Sequence, residues 1–219
     1  MFGSEGIGGE IYGEVMKKVG LFFGSFNPIH VGHLILSNYM ADQTDLFEVW
    51  LVVSPHNPHK KKASLLDDHH RLAMVRIAVE DNTKLQASDI EFNLPKPSYT
   101  VFTLQTLKEK YSDHEFVLIM GEDNLRTFHK WKNYEYILEK HQIYVYPRVL
   151  TVQEVMAGNA EMKPDASVDG HQNIRFFDKA PLMKVSSSYV RNAVKSGHDV
   201  RYLLTDKVFQ YLDEMNFYK

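Results

Sequence analysis

Residues 20–34, GLFFGSFNPIHVGHL, read as a strand, a tight turn and a helix with ionisable side chains gathered at the turn. The short unbroken run Leu21-Phe22-Phe23 suits a strand buried on both faces. Gly24 and Ser25 end it; Asn27 can cap, Pro28 can occupy a first helical turn, and Val31, Leu34 and Ile35 then recur at helical spacing. A buried strand therefore delivers the chain to a helix N-terminus, whose unpaired N–H groups and partial positive charge suit a phosphate. His30 and His33 stand there three residues apart, so both can point to one side of the first turn. Gly32 between them leaves room for a ligand to approach the backbone.

The stretch GSFNPIHVGHL resembles the signature of the nucleotidyltransferase superfamily with the HxGH motif, and within it the bacterial nicotinate-nucleotide adenylyltransferases, whose usual form is GGSFDPIHxGH. Two positions depart from that form, Phe23 where Gly is usual and Asn27 where Asp is usual, and neither removes a histidine. Two other readings compete: a helix-start pair of histidines with no chemistry, and part of a zinc site, since two His on one face can ligate metal. No third ligand follows at regular spacing, and the chain has no Cys to supply one.

The length of 219 residues fits one large α/β domain and is short for two. A hydrophobic fraction of 44% and a charged fraction of 24% are those of an ordinary soluble protein. No apolar run approaches the ~20 residues of a membrane span and no basic-then-apolar leader opens the chain, so the cytoplasm is the expected compartment. The absence of Cys excludes disulfides and thiol catalysis. A formal net charge of −3 argues against a nucleic-acid surface, so phosphate affinity has to be local. Residues 1–15 carry five glycines without periodicity and read as a mobile extension or start-site artefact; Met16 would be a natural start directly before the first strand. The domain is then residues 16–219.

Val49–Val53 reads as a second buried strand ending in Ser54-Pro55, and strand-helix-strand with short joins implies parallel strands. The loop SPHNPHKKKAS, residues 54–64, then lies at a strand's C-terminal end, where open α/β sheets bind ligands, and Lys60, Lys61 or Lys62 could hold a phosphate or simply be solvated. Asp67 and Asp68 open a helix with Leu72, Val75 and Val79 buried and His69, His70 and Arg71 on its exposed face. Leu85–Phe92 suits a third strand. Pro95–Thr100 is a rigid turn into a helix capped by Ser98, with Val101, Leu104, Leu107 and Tyr111 inward. Glu115–Met120, EFVLIM, is a fourth strand running into Gly121-Glu122-Asp123-Asn124. Ile143–Tyr146 is a fifth, ended by Pro147 and Arg148; about residues 150–173 form a polar insertion or lid, and Ile174–Phe177 returns to strand. Val185–Arg191, VSSSYVR, opens a helix with three hydroxyls before an arginine, more than capping requires, which makes an anion site. Gly197 ends that helix and Thr205-Asp206 starts the last. The expected fold is a single Rossmann-like, doubly wound α/β domain, a mainly parallel sheet of five to six strands with helices on both faces.

The resemblance continues in order from about residue 19 to 191 and implies further roles. A PHK-like segment selects Lys60 among the lysines. KPSYT is similar to the family's PSYTxxTL segment, which implies that Ser98, Tyr99 and Thr100 face the pyridine nucleotide. GEDNLRTFHKWKNYEYIL is similar to GxDxLxxFxxWxxxxxI, with Asp123 in the acidic position and Trp131 in the aromatic one. Helical spacing explains Leu125 and Phe128 as core, whereas the Trp131 indole makes a stacking platform for a flat ring. Arg148 is grouped with these pyridine-nucleotide residues. VSSSYVR is similar to ISSTxIR, which implies that Ser186, Ser187, Ser188 and Arg191 hold ATP phosphates.

Three phosphate-handling points at strand-to-helix turns suit transfer at phosphorus, where catalysis is mostly alignment and charge neutralisation. The reaction implied by the resemblance is adenylyl transfer from ATP to nicotinate mononucleotide. His30, His33, Lys60 and Arg191 are then the catalytic set, with the turn Gly24-Ser25-Phe26 and Gly32 at the nucleotide phosphates. Mg²⁺ is expected to arrive with ATP, and no protein residue is assigned to metal. The alternatives are a relative that adenylylates nicotinamide mononucleotide, phosphopantetheine or FMN, and a domain that senses ATP without turnover. Neither nucleic acid nor membrane is an expected partner, and a homo-oligomer is left open.

Overall fold

The computed structural model describes residues 16–55, 65–149 and 168–219. The extension 1–15, the lysines Lys60, Lys61 and Lys62, and residues 150–167 of the polar insertion lie outside the described residues. Six strands, β1 (Lys17–Gly24), β2 (Glu48–Val53), β3 (Leu85–Ser88), β4 (His114–Gly121), β5 (Ile143–Tyr146) and β6 (Ile174–Phe176), form one parallel sheet in the order β3-β2-β1-β4-β5-β6. The helices are α1 (Val31–Gln43), α2 (Asp68–Val79), α3 (Thr100–Lys110), α4 (Glu122–Leu125), α5 (Tyr134–Lys140), α6 (Ser187–Lys195) and α7 (Asp206–Glu214).

Strand side chains alternate between two apolar layers, because successive Cβ atoms point to opposite faces. Phe22, Val49, Leu51 and Val53 meet α1, α2, α6 and α7 through Leu36, Met40, Leu72, Val75, Val190 and Leu212. Leu21, Trp50, Val52 and Leu118 meet α3 and α5 through Val101, Leu104, Leu107, Ile137 and Leu138. The sheet is thus covered on both faces, which accounts for the continuous apolar runs in β1, β2 and β4. The chain steps outward from β1 to β3, then returns to pair β4 on the other side of β1. That reversal lies between β1 and β4, and the carboxyl ends of strands at such a switch point are the usual ligand site of open α/β sheets.

Several local expectations are corrected. The third strand stops at Ser88, and Ile90–Asn93 turns as a 3-10 helix instead of extending to Phe92. The reason is Glu91, whose buried carboxylate accepts from Thr103 Oγ1 at 2.8 Å, drawing the chain under α3. Helix α1 begins at Val31 with His30 as N-cap; Asn27 does not cap it, because its side chain is engaged by Leu66 and Tyr218. Its buried face is Leu36, Ser37, Met40 and Ala41, and Ile35 is exposed. Tyr99, not Ser98, is the N-cap of α3, since the Ser98 hydroxyl donates to Glu91. Arg71 is not on an exposed face: it is fully buried. The ends expected further along are observed. Thr205 caps α7, and Gly197 (φ 71°) closes α6 with its own N–H on Val194 O and the His198 N–H on Ala193 O. Among the described residues no helix is long and apolar enough to cross a membrane.

Candidate active site

The turn between β1 and α1 is folded tightly on itself. Phe26 is buried with φ 42°, a left-handed conformation rare for a residue with a side chain, and its ring lies back over Gly24. A Cβ at Gly24 would come within 2.8 Å of that ring, so glycine is required there. The Phe26 ring also meets the rings of Phe22 and His33 edge-on, at 6.1 and 5.0 Å. His30 and His33 stack with centroids 3.7 Å apart, and the His30 backbone N–H donates to His33 Nδ1 at 3.2 Å. That bond fixes the tautomer of a neutral His33: the proton resides on Nε2. His30 is buried, its Nδ1 has no partner among the described residues, and burial lowers its pKa to about 4. It is therefore neutral at pH 7. The space above Gly32, expected to admit a ligand, borders the His30 ring, whose Nδ1 and Cε1 would lie 3.1 Å from an added Cβ.

Side chains from distant elements hold the carbonyls of this turn. Arg191 Nη1 donates to Asn27 O at 2.7 Å, and Ser187 Oγ donates to Pro28 O at 2.9 Å. Arg191 Nη2 also reaches Ser188 Oγ at 3.1 Å, while Ser186 caps α6 by accepting from the Tyr189 N–H. The structure thus brings the histidine turn and the Ser186–Arg191 helix start together. Each of the three serines has a structural partner: Tyr189 N–H for Ser186, Pro28 O for Ser187 and Arg191 Nη2 for Ser188. Arg71, which sequence reasoning misplaced, donates to Ser25 O, to Ser54 O and Leu66 O at 3.0 Å each, and pairs with Asp68. Its guanidinium joins the carboxyl ends of β1 and β2, where the Ser54 N–H also donates to Gly24 O at 2.9 Å. The carbonyls of Ser25, Asn27 and Pro28 are thus held by Arg71, Arg191 and Ser187 in turn. A signal for Arg71 existed: positions 71, 75 and 79 are spaced by four, so it lies within the apolar stripe of α2.

The second group of expected residues gathers at α3 and after β4. Lys132 Nζ lies 4.6 Å from the centroid of the Tyr99 ring and 4.8 Å from that of Phe102, tying the segment after Trp131 to the start of α3. Trp131 ends a 3-10 helix (Phe128–Lys130), half-buried against the α3 layer, with its ring 5.3 Å from Phe128. Asp123 and Arg148 form an ion pair with each other, and Asp123 Oδ1 is buried without a hydrogen-bond partner among the described residues. Gly121 makes room for this carboxylate, because a Cβ there would sit 2.5 Å from Oδ1. Lys60 lies outside the described residues, so no placement accompanies it. Among the described residues no group of three or more His, Cys, Asp or Glu is arranged to hold a metal ion.

A family model described as cytidylyltransferase-like matches residues 21–193. A Flavobacterium johnsoniae protein named "Probable nicotinate-nucleotide adenylyltransferase" is 56% identical over 92% of this chain and 99% of its own length. The chain belongs to the nicotinate-nucleotide adenylyltransferase family. A family member from Bacteroides fragilis with the same name is 42% identical over 88% of this chain and 90% of its own. Among solved structures, the Plasmodium falciparum nicotinic acid mononucleotide adenylyltransferase complexed with NaAD matches with a TM-score of 0.71 at 19% identity, covering 92% of this chain and 97% of that one. At that identity it speaks for the fold, a Rossmann-like sheet, and the family assignment rests on the closer sequences.

Proposed function

We propose that this chain transfers the adenylyl group of ATP to nicotinate mononucleotide at the turn between β1 and α1, releasing nicotinate adenine dinucleotide and pyrophosphate. The observation that carries the reading is the junction of the His30/His33 turn with the first turn of α6 through Arg191 and Ser187. The choice of acceptor is supported by the names of the relatives at 56% and 42% identity.

An oxygen of the acceptor's 5′-phosphate forms a bond to the α-phosphorus, the bond from that phosphorus to the oxygen bridging to the β-phosphate breaks, and the electron pair leaves with pyrophosphate. The nucleophile is already an anion, so no general base is needed; what the site has to supply is donors where charge accumulates. His33 offers Nε2–H, its orientation set by the bond from the His30 backbone. His30, neutral with its pKa near 4, acts through an N–H dipole and not a full charge. Arg191 supplies the full positive charge at the departing pyrophosphate, beside Ser186, Ser187 and Ser188. Ser25 and Phe26 contribute backbone amides, and Lys60 steers a substrate phosphate. On the acceptor side, the start of α3 at Ser98, Tyr99 and Thr100 meets the nicotinate carboxylate, Trp131 stacks on the ring, and Asp123 with Arg148 borders the ribose phosphate. Mg²⁺ enters as part of MgATP, where it keeps several waters and asks for few protein ligands.

The test is pyrophosphate release from MgATP with nicotinate mononucleotide, nicotinamide mononucleotide, phosphopantetheine and FMN as acceptors. Release with nicotinate mononucleotide at least ~10²-fold faster than with the others is expected. Binding of ATP with release from none of them would establish a sensing domain instead.

A further inference from the structure

The reaction described above uses Asn27 only through its backbone, yet its side chain is among the few buried polar ones. Asn27 Oδ1 accepts from the Tyr218 hydroxyl at 2.7 Å and from the Leu66 N–H at 3.2 Å, which satisfies both of its lone pairs. Tyr218 comes from the segment after α7, which turns back through left-handed residues at Asn216 and Tyr218. Phe217 anchors that segment against the rings of His70 and Tyr211, 4.8 and 6.0 Å away. Burial raises the Tyr218 hydroxyl above its ordinary value, although Arg191 and Arg71 pull it down, so the group remains a donor. Asn27 is therefore the point at which three holds meet: Arg191 on its carbonyl, and Tyr218 and Leu66 on its amide oxygen.

We propose that Tyr218 is a positioning residue for adenylyl transfer, holding the side chain of Asn27 so that the turn from Ser25 to His30 keeps the shape in which Arg191 and the histidines meet ATP. The proposal rests on the adenylyl-transfer reading. Because Asn27 is almost wholly excluded from water, no solvent molecule readily replaces a lost hydroxyl. The residue stands where the family form has Asp, whose carboxylate accepts the same two hydrogen bonds, so Asn27→Asp preserves the hold and Asn27→Leu destroys it.

The experiment compares wild type, Tyr218→Phe, Asn27→Asp, Asn27→Leu and the double variants Tyr218→Phe/Asn27→Asp and Tyr218→Phe/Asn27→Leu. Each is measured for melting temperature, for MgATP affinity by calorimetry, and for kcat and KM with nicotinate mononucleotide. Tyr218→Phe is expected to weaken MgATP binding or lower kcat by about three- to tenfold, the scale of one net hydrogen bond, while KM for the mononucleotide stays nearly constant and the melting temperature falls by only about 2–4 °C, too little to unfold the enzyme at the assay temperature. Tyr218→Phe should remain costly in the Asn27→Asp background, where the acceptor oxygen is kept, and should cost nothing further once Asn27 is Leu. Unchanged MgATP affinity and kcat in Tyr218→Phe, additive effects in the Tyr218→Phe/Asn27→Leu double variant, or losses that only track melting temperature would overturn the proposal. A wild-type protein inactive toward every acceptor would sink the function instead, and the MgATP affinities would still report the hold on Asn27.

Discussion

His30 makes stability depend on pH in a way that can be worked out beforehand. Its imidazole titrates near 4 in the folded protein against an ordinary 6.5, because burial disfavours the charged ring. Below pH 6.5 the unfolded chain therefore binds a proton that the folded chain refuses. Stability falls as pH falls, by about 1.4 kcal/mol per unit, until the folded ring titrates near pH 4 and the loss levels off at about 3.5 kcal/mol. Other groups titrate in the same range: burial lowers His141 in the same direction and raises Glu91, with the opposite effect. A difference measurement removes both. His30→Gln keeps a polar side chain of similar size without the titration, so unfolding free energies from urea curves at pH 7.5, 5.5 and 4.5 are compared for the two proteins. Relative to the variant, wild type should lose about 1.3 kcal/mol by pH 5.5 and about 2.5 kcal/mol by pH 4.5. Curves that stay parallel within ~0.5 kcal/mol would show that the folded ring titrates near its ordinary value, and would remove the case for a neutral His30 at the phosphates.

His33→Ala removes the Nε2–H donor and should lower kcat by about 10² or more in the pyrophosphate assay, with a smaller change in KM for ATP. Arg191→Lys replaces the fork that holds Asn27 O with a single ammonium, so on the proposed role at the pyrophosphate it should impair ATP use far more than mononucleotide use in paired KM measurements. Arg71→Met leaves the carbonyls of Ser25, Ser54 and Leu66 without this donor and should cost about 3–5 kcal/mol in a urea titration. Nicotinate mononucleotide should exceed nicotinamide mononucleotide in kcat/KM by about 10² to 10⁴. The N–H donors at the start of α3 suit a carboxylate, and an amide loses a charge-assisted bond and brings a mismatched NH₂. Trp131→Ala should lower both values without removing the preference.

The sheet was legible because its signal is local and redundant. In β1, β2 and β4 a run of apolar residues is bounded by glycine, serine or proline, and each run is followed by a helix with its own stripe. The two histidines, Arg191 and its serines were legible as motifs at helix starts. What escaped was any side chain whose role is set by a remote partner. Arg71 looked like a surface residue because a charge next to two histidines fits a solvated face, and only the carbonyls at the ends of β1 and β2 explain its burial. Glu91 broke the third strand for the same kind of reason, its partner Thr103 lying on a helix not yet begun. Asn27 was read as a helix cap because local sequence offers that role first, and nothing near it announces Tyr218.

The hydrogen bonds that shape the β1–α1 turn span very unequal lengths of chain: 46 residues from Ser25 to Arg71, 159 from Pro28 to Ser187, 164 from Asn27 to Arg191 and 191 from Asn27 to Tyr218. Synthesis runs from the N-terminus, and a nascent chain that has emerged only as far as β6 already contains every strand of the sheet. It contains neither Arg191 nor Tyr218. The sheet therefore can close on the ribosome while the β1–α1 turn is still ungripped, and on the proposed function ATP offers little help to a chain still being made, because a ligand stabilises only the state that binds it. Competence for nucleotide arrives after the scaffold, with the last two helices.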